Sequence, residues 1–226
     1  LAASTSPPAV IADLVISAMM VNDGIANAKD GMVRAFDVRT GELRWEFNPI
    51  PVEYRDRSGA ANVWSTISVD TEHQLVFLPT TSPSTDYYGG GRRFDLPLAN
   101  SIVALDAKNG KVVWSRQVVH HDIFDYDLVG HPLLVDIQRD GKTIPAAVLQ
   151  TKMGWLFGFN RLTGEPLWPI VEQAVPKSDV PGELASRTQP VPKGMAPFAR
   201  QTLTRDSLFG LTPIDRLACR RQFDRL

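Results

Sequence analysis

The sequence has 226 residues, of which 24 are basic and 25 are acidic, so its formal net charge is −1. A charge this close to zero creates no long-range field that would attract nucleic acid or an anionic membrane surface, and we expect neither as a partner. The most apolar stretch, residues 10–21, is shorter than the ~20 residues of a membrane helix and contains Asp13.

One pattern of eleven residues, small-x-Asp/Asn-x-x-Thr/Asn-Gly-x-x-x-Trp, occurs three times, with its glycines 69 and 54 residues apart. The apolar residues before each Asp or Asn predict a strand, the pair ending in Gly predicts a turn, and the run ending in Trp predicts the return strand. We expect hairpins near residues 32–45, 102–114 and 156–168. In each, the Asp or Asn would accept turn amides, and the indole would donate to a neighbouring hairpin.

Further strand-like runs lie between the repeats and bring the total to about four strands per repeat. These runs are residues 14–17, 66–69, 75–78, 133–136 and 146–149. Residues 169–200 are rich in proline and predict a long irregular excursion, and a short helix is expected at residues 214–223.

Four-stranded sheets repeated around an axis define a β-propeller, so the predicted fold class is all-β. The chain would supply about three to four blades, whereas a closed ring needs ~4 to 8. Both ends of the sequence look cut, and we expect residues 1–226 to be a fragment of one propeller domain. Made alone, the fragment is expected to be marginally stable or prone to aggregation.

An acidic segment follows the second repeat, at residues 120–127 (HHDIFDYD). Three carboxylates and two imidazoles in eight residues are costly to place at the end of a strand, which indicates a functional site. If the segment is extended, Asp125 and Asp127 share one face with His121. Crowded carboxylates predict at least one raised pKa, which suits a general base. A metal-binding or loop-capping acidic turn is the alternative.

The acidic segment resembles that of the membrane-bound dehydrogenases that depend on pyrroloquinoline quinone (PQQ), in the glucose/quinate/shikimate group. Residues 151–154 (TKMG), 161–168 (RLTGEPLW) and 188–190 (TQP) carry the same resemblance, which runs in order from about residue 6 to residue 219. It implies an eight-bladed ring with PQQ in the central funnel, together with a Ca²⁺ or Mg²⁺ ion. Phe124 departs from the family pattern, which commonly has Trp there.

The resemblance also implies roles for individual residues. Asp125 matches the catalytic base, and Lys152, 27 residues later, matches the lysine that contacts the quinone oxygens. Trp64 matches the indole that forms the floor under the PQQ ring. Ser84 matches a hydroxyl near the PQQ carboxylates, and Asn22 and Asp23 match a polar pair that binds the cofactor or, as weaker candidates, the metal. His121 is the last cofactor-binding candidate, and the alternative is that it has a structural role.

By resemblance, the protein oxidises a sugar or polyol, with aldose to lactone as the first choice, by hydride transfer to PQQ. Electrons would pass to ubiquinone at the periplasmic face of the bacterial inner membrane, and the membrane would be reached through a segment absent from this chain. The fragment alone is expected to be inactive. One alternative is a quinate, shikimate or other polyol dehydrogenase, and another is a non-catalytic propeller that serves as a scaffold for protein assembly.

Overall fold

The computed structural model describes residues 2–26 and 28–225, which form consecutive antiparallel sheets. The strands before residue 50 are β1 (Ala2–Ala3), β2 (Ala9–Ile11), β3 (Leu14–Ser17), β4 (Met20–Val21), β5 (Val33–Asp37) and β6 (Leu43–Phe47). The first four-stranded sheet has the order β2-β3-β5-β6, and β1 pairs with β4.

Two more blades follow in the same meandering order. The second sheet contains β7 (Ser68–Asp70), β8 (Leu75–Pro79), β9 (Ser101–Asp106) and β10 (Val112–Gln117). The third contains β11 (Leu133–Arg139), β12 (Lys142–Gln150) and β13 (Leu156–Asn160). The first strands of the three sheets lie side by side, because β7 contacts both β2 and β11. The predicted all-β partial propeller is therefore confirmed.

Two of the predicted elements are different in the structure. The third repeat has its first strand and turn, but its return strand is reduced to a single bridge between Phe159 and Pro166. Proline has no N–H for a strand ladder, which explains this loss. The expected irregular excursion at residues 169–200 was wrong in part, since β14 (Ile170–Ala174) pairs with β15 (Thr188–Pro192). A two-stranded sheet has only edge strands, and these tolerate proline.

The two central strands of the second sheet, β8 and β9, are buried on both faces. Val76 and Leu78 point into a core shared with the first sheet, whereas Phe77 points into a core shared with the third. Successive side chains of a strand alternate between faces, so every residue of β8 becomes buried. The continuous apolar run at residues 75–78 thus reflects a sheet enclosed by two neighbours.

Tryptophans join consecutive blades as predicted. Trp45 Nε1 donates to the carbonyl of Ala107 at 2.7 Å, and Trp114 Nε1 donates to that of Arg161 at 2.9 Å. Both acceptors occupy the position just after the Asp or Asn of the next repeat. That Asp or Asn accepts main-chain amides of its own turn in all three repeats. The first repeat is therefore pinned to the second, and the second to the third, at the same position of the pattern.

The predicted short helix is α1 (Pro213–Phe223), and 3-10 turns occur at Val52–Tyr54 and Arg205–Ser207. Thr212 and Asp215 form a reciprocal capping box at the N-terminus of α1. No side chain of α1 is buried. Across residues 2–26 and 28–225, no helix combines the length and the apolar character that crossing a bilayer requires.

Candidate active site

The candidate site lies where alternate connections between strands meet. Trp64 lies between β6 and β7, Ser82 between β8 and β9, residues 120–127 between β10 and β11, and Lys152 between β12 and β13. Neighbouring strands of an antiparallel meander run in opposite directions, so every second connection emerges at the same end of the sheets. The hairpin turns with the repeat glycines emerge at the opposite end.

A lysine and two aspartates form the centre of this site. Lys152 Nζ donates to the main-chain oxygen of Asp125 at 2.9 Å, to Asp125 Oδ2 at 3.0 Å and to Asp127 Oδ2 at 3.2 Å. These three bonds use all three donors of the ammonium. The Lys152 and Asp125 side chains are 30% and 25% exposed, whereas that of Asp127 is 5% exposed. The structure therefore brings the predicted base and the predicted lysine together.

Asp127 is held by groups from several connections. Its Oδ1 accepts the Ser82 amide at 2.9 Å, and its Oδ2 accepts Trp64 Nε1 at 3.1 Å as well as the Lys152 ammonium. Burial raises the pKa of Asp127 to about 6, because it outweighs the hydrogen bonds from Ser82 and Trp64 and the charge of Lys152. The raised pKa expected of the acidic segment is therefore found on Asp127.

The acidic segment is not extended, so the predicted arrangement of its faces was wrong. His121 and Asp125 have φ values of 43° and 56°, in the left-handed region. Buried Asp122 is the physical reason, since it accepts the amides of Phe124 and Tyr126 at 3.0 and 2.7 Å and closes a tight turn. His121 Nε2 lies 3.2 Å from the carbonyl oxygen of Gly89.

The β8–β9 connection and β15 hold this turn in place. Asp122 also accepts Asn100 Nδ2 at 3.1 Å and the Ser82 hydroxyl. Arg92 is 2% exposed and donates to the main-chain oxygen of Asp122 at 2.6 Å. From β15, Gln189 donates to the main-chain oxygen of His120 at 2.7 Å and accepts its amide at 2.8 Å. The TQP motif of the sequence thus serves to anchor the acidic segment.

The other predicted residues lie at different distances from the charged centre. Trp64 is half-buried, and its indole reaches that centre through Asp127. Ser84 is 1% exposed, and its hydroxyl accepts the amide of Gly59 at 2.9 Å. Asn22 is exposed, with its side-chain oxygen 3.2 Å from the amide of Gly24. The structure does not test the cofactor roles of these residues, which stay predictions.

Asp23 is electrostatically linked to the charged centre. Burial raises its pKa, the Asp125 charge raises it further, and Lys152 acts in the opposite direction. No group of three or more His, Cys, Asp or Glu side chains within the described ranges is arranged to hold a metal ion. The assignment of Asn22 and Asp23 to a metal therefore also stays a prediction.

Sequence reasoning missed two residues beside Asp125. The Tyr87 hydroxyl donates to Asp125 Oδ2 at 3.2 Å. Asp86 is 5% exposed, and its Oδ1 has no hydrogen-bond partner among the described residues. Burial raises the pKa of Asp86, and the charges of Asp23 and Asp125 add to this rise. The polar and glycine-rich composition of residues 80–92 was a signal that could have drawn attention to this loop.

Comparison with known proteins assigns the chain to a family. The family model for the β-propeller domain of PQQ glucose/ethanol/alcohol dehydrogenases matches residues 1–226. The chain therefore belongs to the family of PQQ-dependent quinoprotein dehydrogenases, and the resemblance inferred from the sequence is confirmed.

The chain is similar to individual members of this family. The chain is 39% identical to a quinate/shikimate dehydrogenase (quinone) of Acinetobacter baylyi, over 97% of the chain and 28% of that protein. It is 34% identical to quinoprotein glucose dehydrogenase A of Acinetobacter calcoaceticus, over 98% of the chain and 30% of that protein. The chain thus spans less than a third of either relative.

A solved structure agrees with the fold. A quinohemoprotein alcohol dehydrogenase of Pseudomonas putida superposes with a TM-score of 0.65 at 21% identity. The match covers 83% of this chain and 30% of that one. At this identity, the match supports the propeller architecture alone.

Proposed function

We propose that the protein to which this chain belongs oxidises a hydroxyl group of a sugar or polyol, with PQQ as the electron acceptor. The observation that carries the proposal is the contact between the Lys152 ammonium and the Asp125 carboxylate, at 3.0 Å. The two residues come from different connections and meet at one end of the blades. Removal of a hydroxyl proton requires a base, and reduction of a quinone is favoured by a positive charge beside its oxygens. Asp125 and Lys152 would supply these two groups.

The residues at the site fit PQQ, which is a flat anionic molecule. Trp64 offers a half-buried indole, and Lys152 offers a partly exposed ammonium; both are bonded to Asp127. Trp64 would pack against the ring plane, and Lys152 would donate to its oxygens. Bound PQQ would supply the two-electron acceptor that takes the hydride of the substrate.

Asp125 would take the proton of the substrate hydroxyl. Its hydrogen bonds within the described residues involve Oδ2 and the main-chain oxygen, which leaves Oδ1 available. Lys152 would remain charged throughout. Burial lowers its pKa, but the hydrogen bonds and charges of Asp125 and Asp127 outweigh that effect and raise it above the usual value. An ammonium of this kind stabilises negative charge without having to gain a proton.

The metal, the acceptor and the location belong to the same proposal. Asn22 and Asp23 would offer an amide oxygen and a carboxylate, which are the ligands that Ca²⁺ and Mg²⁺ prefer. The next acceptor would be a quinone, as in the name of the A. baylyi relative, quinate/shikimate dehydrogenase (quinone), and ubiquinone is inferred from the family resemblance. Location at the periplasmic face of the inner membrane, through a segment outside this chain, is inferred from the family resemblance.

Two classes of substrate are candidates for this site. Oxidation of an aldose to its lactone is the first candidate, supported by a glucose dehydrogenase at 34% identity. Oxidation of quinate or shikimate is the second, favoured by the relative at 39% identity. A substrate panel of glucose, quinate, shikimate and glycerol, assayed by PQQ-dependent dye reduction with the full-length protein, decides between them.

The Asp125→Asn and Lys152→Ala variants of the full-length protein test the chemistry. We expect kcat to fall by about 10²- to 10⁴-fold in each, as for loss of a general base or of a charge-stabilising donor. Asp140→Asn and Lys142→Ala, at exposed positions where the β11–β12 hairpin turns, are matched controls and should keep the wild-type rate. Dye reduction that persists in both site variants would refute the roles of Asp125 and Lys152, whereas a wild type without PQQ-dependent dye reduction would favour the non-catalytic scaffold.

A further inference from the structure

Asp127 is the most buried of the three charged groups at the centre of the site, and proton removal by Asp125 makes no use of it. We propose that Asp127 is a positioning residue, whose carboxylate sets the indole of Trp64 and the ammonium of Lys152 in the places where they receive the quinone. This inference rests on the proposed function of the site.

The contacts of Asp127 connect separate parts of the fold. Trp64 is 63 residues away in sequence, Ser82 is 45 and Lys152 is 25. The three donors lie in three different connections, β6–β7, β8–β9 and β12–β13, and all of them bind to one carboxylate. A displacement of that carboxylate would therefore move the indole and the ammonium together.

The chemistry of the three donors requires a carboxylate. The Ser82 amide donates to Oδ1, whereas the Trp64 indole and the Lys152 ammonium both donate to Oδ2. Asparagine has one oxygen and one NH₂ group, so either the amide or the indole and ammonium would face another donor. Replacement by asparagine keeps the shape of the side chain and removes its ability to accept all three hydrogen bonds.

Burial separates the task of Asp127 from that of Asp125. The Asp127 side chain is 5% exposed and accepts donors on both of its oxygens, while that of Asp125 is 25% exposed. The ammonium of Lys152 can exchange its bond to Asp125 Oδ2 for another acceptor while its bond to Asp127 persists. Asp127 thus retains the lysine when Asp125 is released to act as the base.

A double-mutant cycle in the full-length protein tests this role. Asp127→Asn, Trp64→Phe and the double variant are titrated with PQQ as apoproteins, and the dissociation constant is measured for each. Phenylalanine keeps a flat ring and lacks the indole N–H. We expect each single variant to raise the dissociation constant for PQQ about tenfold. The double variant should bind PQQ as well as the single variant with the lower affinity does, because both substitutions remove the contact between the indole and the carboxylate.

Asp70→Asn is the control for general loss of stability. Asp70 is a buried carboxylate, 6% exposed, that ends β7 and pairs with Arg161 at 2.8 Å outside the site. Its variant should bind PQQ within twofold of the wild type. If Asp127→Asn fails to fold, Trp64→Phe alone remains decisive, because the indole N–H is the group that Asp127 holds and wild-type affinity in Trp64→Phe would overturn the inference.

The outcomes separate this inference from the proposed function. Absence of PQQ binding in the wild type, or full activity in Asp125→Asn, would refute the function itself. PQQ binding with an inactive Asp125→Asn, combined with effects of Asp127→Asn and Trp64→Phe that multiply independently, would refute the positioning role and leave the function standing.

Discussion

Asp125 and Asp127 lie two positions apart in one loop and have different surroundings. The Asp125 carboxylate accepts hydrogen bonds from the Tyr87 hydroxyl and the Lys152 ammonium. The Asp127 carboxylate also accepts the Ser82 amide and the Trp64 indole. A carboxylate enclosed in this way is harder to ionise, and its pKa rises to about 6. Identical side chains can therefore take different tasks according to which donors reach them.

The raised pKa of Asp127 predicts a dependence of stability on pH. A folded-state pKa of about 6 against 3.8 means that the native protein binds this proton more tightly than the unfolded chain does. The free energy of unfolding should therefore fall as pH rises from about 4 to about 6, and the penalty should be complete above pH 6. Two pK units correspond to about 3 kcal/mol, an upper bound for this group.

Denaturant titrations of the wild type and of Asp127→Asn, both as apoproteins, measure this effect between pH 4 and pH 7. The difference between the two free energies isolates position 127 from the other carboxylates. A difference that stays constant over this range would show that Asp127 ionises normally in the folded protein.

The sequence was sufficient to select two residues that the structure brings together, Asp125 and Lys152, and insufficient to describe their surroundings. Residues 120–127 stood out by composition, and the family resemblance linked Asp125 to Lys152. The inward position of Asp127 depends on the Ser82 amide, 45 residues away, and on the turn that Asp122 closes. Contacts of this range leave no periodic pattern in a sequence, and a prediction based on an extended strand could not find them.

Among the elements, the repeat turns make a prediction that separates backbone strain from packing. Gly41 and Gly110 have φ values of 73° and 69°, so alanine at either position costs about 1 kcal/mol or more in the left-handed region. A Cβ on Gly110 would also lie 2.6 Å from the Trp45 ring, whereas one on Gly41 would meet nothing within 4 Å. Overpacking adds about 1–3 kcal/mol.

We therefore expect Gly110→Ala to destabilise the full-length protein more than Gly41→Ala does, in denaturant titrations under the same conditions. Gly164→Ala should resemble Gly110→Ala, because its Cβ would lie 2.7 Å from Trp114. Equal losses at all three positions would mean that the indoles do not constrain the turns.

The elements that the sequence predicted well are those with local patterns. The first two hairpins were predicted from apolar runs and a Trp-ended return strand around a glycine turn, and the short helix expected at residues 214–223 coincides with α1. Pro166 left the third hairpin with a bridge in place of its return strand. The strand β15 was not predicted, because it contains prolines. Its pairing with β14, with Pro190 opposite Glu172, forms in spite of them.

At the scale of the whole molecule, the apolar side chains after β15 bear on whether residues 1–226 aggregate when they are expressed alone. Six large side chains between residues 198 and 217 are 47% to 88% exposed, and α1 buries none of its own. They are Phe198, Leu203, Phe209, Leu211, Ile214 and Leu217. Exposed apolar side chains in this number promote association in solution.

We expect residues 1–226, expressed alone, to aggregate, and we expect Phe209→Ser, Leu211→Ser and Ile214→Ser together to reduce the aggregated fraction. Light scattering during gel filtration measures that fraction. Val38→Ser, Leu43→Ser and Val112→Ser, at exposed positions of the blades, provide a control of equal size. Equal improvement from both sets would assign the association to general surface hydrophobicity.

The indole hydrogen bonds have a direction along the chain, from a donor in one repeat to an acceptor in the next. Removal or duplication of one entire repeat would keep every internal donor matched with an acceptor. A deletion that ended within a repeat would orphan a carbonyl or an indole in a buried interface. Propellers built on this contact can therefore gain or lose blades during evolution only in whole units, and the tryptophan position marks where such a unit ends.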